Sequence, residues 1–550
     1  MNITKYVLCS ALAGIMLAGC ADLDTAPLGD TVTSDQKEQV VEDNPDMVAA
    51  SVAGITTLFS SYMAFFDEYH SDFGFPSSML TMDSRGIDLV GLNVGYNWFV
   101  YALTMSDYSN SAVDNSMLWQ TMYRQIYAAN NVISVIPTTT DNDKLQFYLA
   151  QGLAIRAFDY FVLAQMYQFT YEGNTDAPCV PLILDTNAST AATDGIARNT
   201  VGEVYTQIMS DLNTAVDLLN KSSFTRADKR YVSYEVAVGL RARVELVMQD
   251  WDAAARDAKE AIRCSQAHPI SIQEAKVPGF SDINEPNWMW GIYIDETDDV
   301  VNSGIVNWPS HMGSLNYGYA SVGAWRKINA DLYARIPATD VRKGWWLDAN
   351  GNSPNLDADQ AEYLKSAKAP AYTQVKFAPY GGEIYTAVNA NDIMLMRIEE
   401  MYLIQAEAEA MGSDGPAVGL QTLVKFVQDY RDPAFSSTAS SATAVQDAVW
   451  MQRRLELWGE GLSYFDLMRL RKGVDRRKAG FEAEATFLIE DTKEAERASI
   501  ERVKAGQGGV EGTTIQRLIY QIPTSETEAN ALINDSDNNL SSPQLTPVAS

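Results

Sequence analysis

Histidine and cysteine are scarce: three histidines (His70, His268, His311) and four cysteines (Cys9, Cys20, Cys179, Cys264) in 550 residues. No two histidines lie at the helical spacing of a zinc pair, and no cysteine cluster could take their place. A phosphate-binding Gly-Lys-Ser/Thr loop is absent, and Gly506-Gln507-Gly508-Gly509 follows a charged segment rather than a strand. The Gly-x-Ser-x-Gly nucleophile turn is missing as well. Asp535-Ser536-Asp537-Asn538-Asn539 lacks the glycine and terminal glutamate of a calcium loop. The expectation is therefore no cofactor and no metal, with calcium unsupported. Basic residues are few, 41 against 71 acidic, for a net charge of -30. Such a surface repels phosphate backbones and argues against nucleic-acid binding. Beyond residue 20 no apolar run reaches the ~18 residues of a membrane-spanning helix. Paired carboxylates suited to glycoside cleavage stay open at this level, because so many acidic residues supply such pairs by chance.

What is present begins with Leu17-Ala18-Gly19-Cys20 after the apolar stretch 6–16, with Lys5 ahead of it. Small residues before a cysteine, after an apolar run too short to span a bilayer, read as a lipoprotein signal. Residues 1–19 would be removed, Cys20 acylated, and 20–44 left as an acidic, turn-rich tether. Cys179 and Cys264 remain. One pair is not a disulfide framework, and whether they bond is open, with two isolated buried thiols the simpler reading.

Past residue 45 the helical period dominates, over a single domain 45–550. Its parts are 45–263, a loop-rich insertion 264–390, a helical part 391–537 and a disordered tail 538–550. Val236, Leu240 and Val244 recur at four-residue spacing. A turn at 249–251 follows, then a helix capped by Asp252 and lined by Ala254, Ala258 and Ile262. This is a tight, tetratricopeptide-like hairpin. Segments 116–136 and 143–169 predict another, as do 394–411 and a helix starting near Pro416. Residues 67–115 and 264–390 read as long loops with short strands such as 288–294, and loops of that length are usually functional. Residues 480–512 read as a charged helical insertion. The fold class is mainly α, a helical hairpin array with a loop-rich, Trp/Tyr-rich half and short strands.

Residues 452–469, which contain Arg453-Arg454-Leu455-Glu456-Leu457-Trp458-Gly459-Glu460-Gly461 and Tyr464-Phe465-Asp466, resemble the signature of the SusD/RagB family. Cys20-Ala21-Asp22-Leu23-Asp24, Leu153–Phe161 with Val180-Pro181-Leu182, Arg397–Ala408 and Ile522-Pro523 resemble further family segments in the right order. Leu462-Ser463 depart from the family's usual His-Arg, and 531–539 from its Asn-Pro-rich close. The resemblance implies a surface lipoprotein of the outer membrane that binds oligosaccharides or other oligomeric nutrients. Its implied partner is a SusC-like TonB-dependent transporter, and it implies no catalytic residues. The near-helical spacing of Arg453, Glu456, Glu460, Asp466 and Arg469 reads as buried ion pairs that fix helix register rather than as a site. The alternatives are a helical lipoprotein glycosidase and a scaffold that binds peptides.

Sugar capture without chemistry needs flat aromatic faces and a few polar groups for hydroxyls. Two clusters offer them: Asp83, Arg85, Asp88, Tyr96, Asn97 and Trp98, and then Trp308, His311, Tyr317, Tyr319 and Trp325 among glycines. Trp288 and Trp290 alternate on an apolar stretch and read as core.

Overall fold

The computed structural model describes residues 40–477, 479–486, 488–489 and 517–539. Cys20 with its signal and tether to residue 39, most of the insertion 480–512 and residues 540–550 lie outside the described residues.

The first helices are α1 (Asp46–Thr57), α2 (Phe75–Arg85), α3 (Val113–Ile133), α4 (Asp143–Tyr167) and α5 (Val201–Lys221). They are followed by α6 (Tyr234–Met248), α7 (Trp251–Cys264), α8 (Ile398–Met411), α9 (Pro416–Tyr430), α10 (Ala442–Glu456) and α11 (Ser463–Arg469). From α3 to α9 each helix packs on the next, so the expected hairpin array is a continuous row. Side-chain caps define several starts. Asn142 accepts from the amides of Lys144 and Leu145 at α4, and Thr200 with Glu203 forms a reciprocal capping box at α5. Asp250, not Asp252, caps α7 by accepting from Ala253. The Asp252 carboxylate instead accepts from the Ser413 amide at 2.7 Å, tying the start of α7 to the turn after α8.

Close approach within the row requires small residues. A Cβ at Gly419 of α9 would overlap the Ala406 carbonyl oxygen and sit 2.6 Å from the Ala410 methyl of α8. In an exposed helix Gly→Ala gains about 1 kcal/mol. Here the sign reverses: Gly419→Ala is expected to lose about 1–3 kcal/mol through overpacking, read as a lower urea midpoint at unchanged m.

The loop-rich half is tied to the row by short antiparallel ladders. β1 (Leu89–Val90) pairs with β3 (Lys327–Ile328), and β2 (Trp288–Ile292) with β4 (Ile393–Arg397). A third, β5 (Val474–Asp475) with β6 (Leu488–Ile489), stands at the described start of the 480–512 insertion. Residues 394–397, read as the first turn of a helix, are strand. A fully buried run of five satisfies either period, and the β2 partner decides it. Helix α2 lies inside a segment read as loop. All eleven of its residues are buried, and its serines, Thr81, Asp83 and Arg85 conceal the apolar period. Gly74, at φ 84°, lets the chain enter α2 against the Phe59 carbonyl, a place a Cβ would overlap.

Buried charge joins the halves. The Glu456 carboxylate meets Arg397 at 2.8 Å, Arg431 at 2.7 Å and Arg342 at 3.2 Å, all fully buried. Glu460 pairs with Arg397 and with Lys376, and Asp466 with Arg453 and Arg469. The signature is thus scaffold. Trp288 and Trp290 are wholly buried, as are Trp345 and Trp346. Cys179 and Cys264 are free thiols, the first buried and the second half-buried, where two buried thiols were expected. Asn538 and Asn539, assigned to the tail from sequence, are buried instead. Asn539 donates to the carbonyls of Tyr167 and Tyr520 at 2.7 and 2.6 Å.

Asp159 in α4 is fully buried, and neither carboxylate oxygen has a partner among the described residues. Burial holds its pKa well above the carboxylate value of 3.8. A raised folded pKa gives stability that is complete below the unfolded pKa and is lost as pH rises toward the folded one. Asp159→Asn removes that loss. The variant's advantage in thermal midpoint over the parent is therefore expected to grow from pH 5 to pH 8.

Candidate functional site

The structure divides the residues nominated from sequence. Six of them face inward and are corrected from ligand contacts to framework. Asp83 accepts from the Gly461 amide at 2.9 Å, and burial raises its pKa to about 8. Arg85 pairs with Asp107, and Asp88 with Arg454 at 2.6 Å. Trp308 packs edge-on to Phe377 at 4.9 Å, and Trp325 fills a small core with Leu315 and Leu347. Asn97 receives Arg326 Nη1 at 3.0 Å and the Phe99 amide at 3.1 Å, while its own Nδ2 donates to Leu92 at 2.8 Å. Its role is to shape the turn that carries Tyr96 and Trp98. His311 is also wholly buried. Asp83, Arg85, Asp88 and Asn97 each meet a polar partner distant in sequence, which residue type and spacing do not reveal.

The other four, Tyr96, Trp98, Tyr317 and Tyr319, reach the surface. Three of them converge, and the structure adds Tyr69 and His70, which sequence reasoning missed. Trp98 stacks on the His70 ring with centroids 5.0 Å apart and planes 16° apart, and Tyr69 meets Trp98 edge-on at 6.1 Å. Tyr319 stacks with Tyr96 at 6.4 Å and with His311 at 4.8 Å, and His311 stacks on Phe73 at 5.3 Å. A column of near-parallel rings thus runs from Phe73 in the core through His311 and Tyr319 to Tyr96, which is 56% exposed. A cluster of aromatics within 60–75 was the available signal for Tyr69 and His70, but nothing in the sequence paired it with residues 96–98 or 319.

Hydrogen bonds hold the rings in place. His70 Nδ1 bonds the Tyr319 hydroxyl. Burial pulls the His311 pKa well below 6.5, and neighbouring Arg326 adds to the effect. The neutral ring donates from Nε2 to the His70 carbonyl at 2.9 Å, because a carbonyl can only accept. Arg326 Nε donates to the His311 carbonyl at 2.8 Å. Gly318 lets residues 317–319 lie directly on Ser310, whose Cβ a side chain there would strike at 2.6 Å. Burial lowers the His70 pKa and raises that of Tyr319, so at neutral pH the platform carries no charge of its own. Tyr317 turns to a second exposed pair, edge-on to Tyr385 at 5.1 Å.

Such a surface presents flat apolar faces with hydroxyl and ring-nitrogen edges, suited to the CH faces and hydroxyls of an uncharged sugar. Among the described residues no group of three or more His, Cys, Asp or Glu converges as metal ligands, and no helix is long and apolar enough to cross a membrane.

A family model described as "Starch-binding associating with outer membrane" matches residues 77–246, and one described as "SusD family" matches 341–539. The chain belongs to the SusD/RagB family. This is a carbohydrate-binding family of the outer-membrane surface. Similar members include SusD-like protein P2 of Formosa agariphila, 24% identical over 502 residues, covering 85% of this chain and 91% of that protein. SusD-like protein P38 of the same organism is 23% identical over 386 residues, 65% of this chain and 72% of that one. The fold is that of a SusD-like carbohydrate binding protein from Bacteroides vulgatus, with a TM-score of 0.69 at 21% identity over 89% of this chain and 97% of the other. A laminarin binding SusD-like protein is similar with a TM-score of 0.57 at 18% identity, over 89% and 98%. The SusD/RagB fold thus accounts for both the helical row and the loop-rich layer that carries the ring platform.

Proposed function

We propose that this SusD/RagB protein is a lipid-anchored surface receptor that captures an uncharged oligosaccharide on the Tyr69–His70–Tyr96–Trp98–Tyr319 platform. It then passes the ligand to a SusC-like TonB-dependent importer. The observation that carries the reading is the column of stacked rings rising from the core to an exposed, uncharged face. Acylation of Cys20 supplies the anchor, and a multiply acylated cysteine holds to a bilayer where a single chain would not. Support for a glycan comes from the fold shared with carbohydrate-binding relatives, one of which binds laminarin.

Mature chain without its anchor, run in native gels containing laminarin, starch, xylan or galactomannan, is expected to be retarded by at least one of them. Chromatography of the incubated polymer is expected to show no shortened product. No retardation by any neutral glycan would overturn the glycan reading, and shortened product would convert the receptor into a glycosidase.

A further inference from the structure

Tyr317 and Tyr319 stand two residues apart, yet their rings belong to different groups. Tyr319 is part of the platform, whereas Tyr317 meets Tyr385 edge-on at 5.1 Å. Tyr385 in turn meets Tyr363 at 5.6 Å with planes 50° apart. Two residues of chain span at most about 7 Å between Cα atoms, so the two groups are neighbours. The loop that carries both tyrosines also reaches water and the platform. Val322 is exposed, and a Cβ at the next residue, Gly323, would touch the Tyr96 ring at 4.0 Å. Exposed apolar surface therefore follows this loop from Tyr96 by way of Val322 to Tyr317 and Tyr385. Extended patches of this kind, rather than single exposed side chains, mark binding sites.

The second group is held firmly. Tyr385 sits at φ 60°, a left-handed conformation that a bulky residue adopts only when its surroundings impose it. Two backbone hydrogen bonds do so here: the Tyr385 amide donates to the Leu315 carbonyl at 2.7 Å, and the Tyr317 amide to the Thr386 carbonyl at 3.1 Å. Glycine would fit that conformation without strain, yet the position carries a ring that is 46% exposed. Tyr363 adds support by packing on the small core of Leu315 and Trp325. Among the exposed charges that flank these rings in the chain, Glu362 and Glu383 outnumber Lys365, which disfavours an anionic polymer.

We propose that Tyr317 and Tyr385 form a second sugar-contact area continuous with the platform, so that the ligand is an uncharged linear glycan long enough to lie across both. This assignment rests on the platform reading and adds to it a preference for chain length.

The test is calorimetric titration of the mature chain with laminari-, malto-, xylo- and manno-oligosaccharides, each as a ladder from disaccharide to octasaccharide. For the ladder that binds, parent affinity is expected to rise about tenfold or more with length. Tyr317→Ala combined with Tyr385→Gly should abolish that rise, bringing long chains down to the affinity of the shortest sugar bound and leaving the shortest unchanged. Glycine at 385 keeps the left-handed backbone, so Tyr385→Gly alone serves if the double variant fails to fold. Affinity independent of length in the parent, or a rise that survives removal of these rings, would overturn the proposal. The triple variant Tyr96→Ala, Trp98→Ala and Tyr319→Ala tests the platform separately. It should lose binding at every length, and a ladder bound as tightly as by the parent would overturn the platform reading itself.

Discussion

Glu456→Ala is expected to destabilise the protein by about 3–5 kcal/mol, the cost of leaving a buried charge cluster uncompensated. Three guanidiniums, from Arg342, Arg397 and Arg431, converge on this one carboxylate, and all four groups are sealed from water. Burial alone would raise the Glu456 pKa, but Arg431, Arg397 and Arg342 pull it well below 4.5. A depressed folded pKa gives stability that is present above the unfolded value and is lost as pH falls through the folded one. The parent should therefore weaken in acid below about pH 4.5, and the variant should lack that part of the pH dependence. Urea unfolding of both proteins between pH 3.5 and 7 measures the effect. Asp429→Asn, which breaks an exposed i,i+4 pair with Lys425, is the control and should change stability by about 0.5 kcal/mol or less. Equal losses at the two sites would refute a stabilising role for the buried cluster.

The second large effect concerns binding. Removing Trp98 and Tyr319 together strips the platform of its widest face and its central ring, and retention by the glycan that retards the parent is expected to fall at least about tenfold. Trp98 is only partly exposed, so a folding defect must be told apart from a lost contact. Tyr96→Ala does this: its ring is 56% exposed, and its removal should weaken binding while leaving the thermal midpoint in place. Unchanged retention in both variants would move the glycan site elsewhere.

The helical row was legible because its signals are local. Four-residue apolar spacing and the alanines of α7 each act within one or two turns of chain, whereas the cap of α7, read at Asp252, falls on Asp250. Helix α2 was hidden because its buried face is polar, its hydrogen bonds being met by residues hundreds of positions away. The platform was half legible for the same reason. Aromatics within a glycine-rich stretch were a fair signal for Tyr96, Trp98, Tyr317 and Tyr319. Asp83, Arg85 and Asp88 had the right chemistry for sugar hydroxyls, but whether Arg85 faces solvent or Asp107 depends on the position of the turn after Leu103 and of the final segment. Trp308 and Trp325 carried no local mark that separates a core indole from an exposed one.

The final segment bears on how the chain reaches its native state. Arg85 Nη2 donates to the carbonyl of Arg517, 432 residues away, and Tyr520 hydroxyl donates to Asp107 at 2.6 Å across 413 residues. Asn539 reaches back to Tyr167 over 372 positions. Contacts of such sequence separation form late, since their loop-closure entropy is met only after both ends are in place. The first two hundred residues therefore cannot complete their own interior until the last segment of the chain is in place. Maturation waits for the C-terminal strap, and a chain released without it would leave Arg85 Nη2 without the Arg517 carbonyl and Asp107 without the Tyr520 hydroxyl.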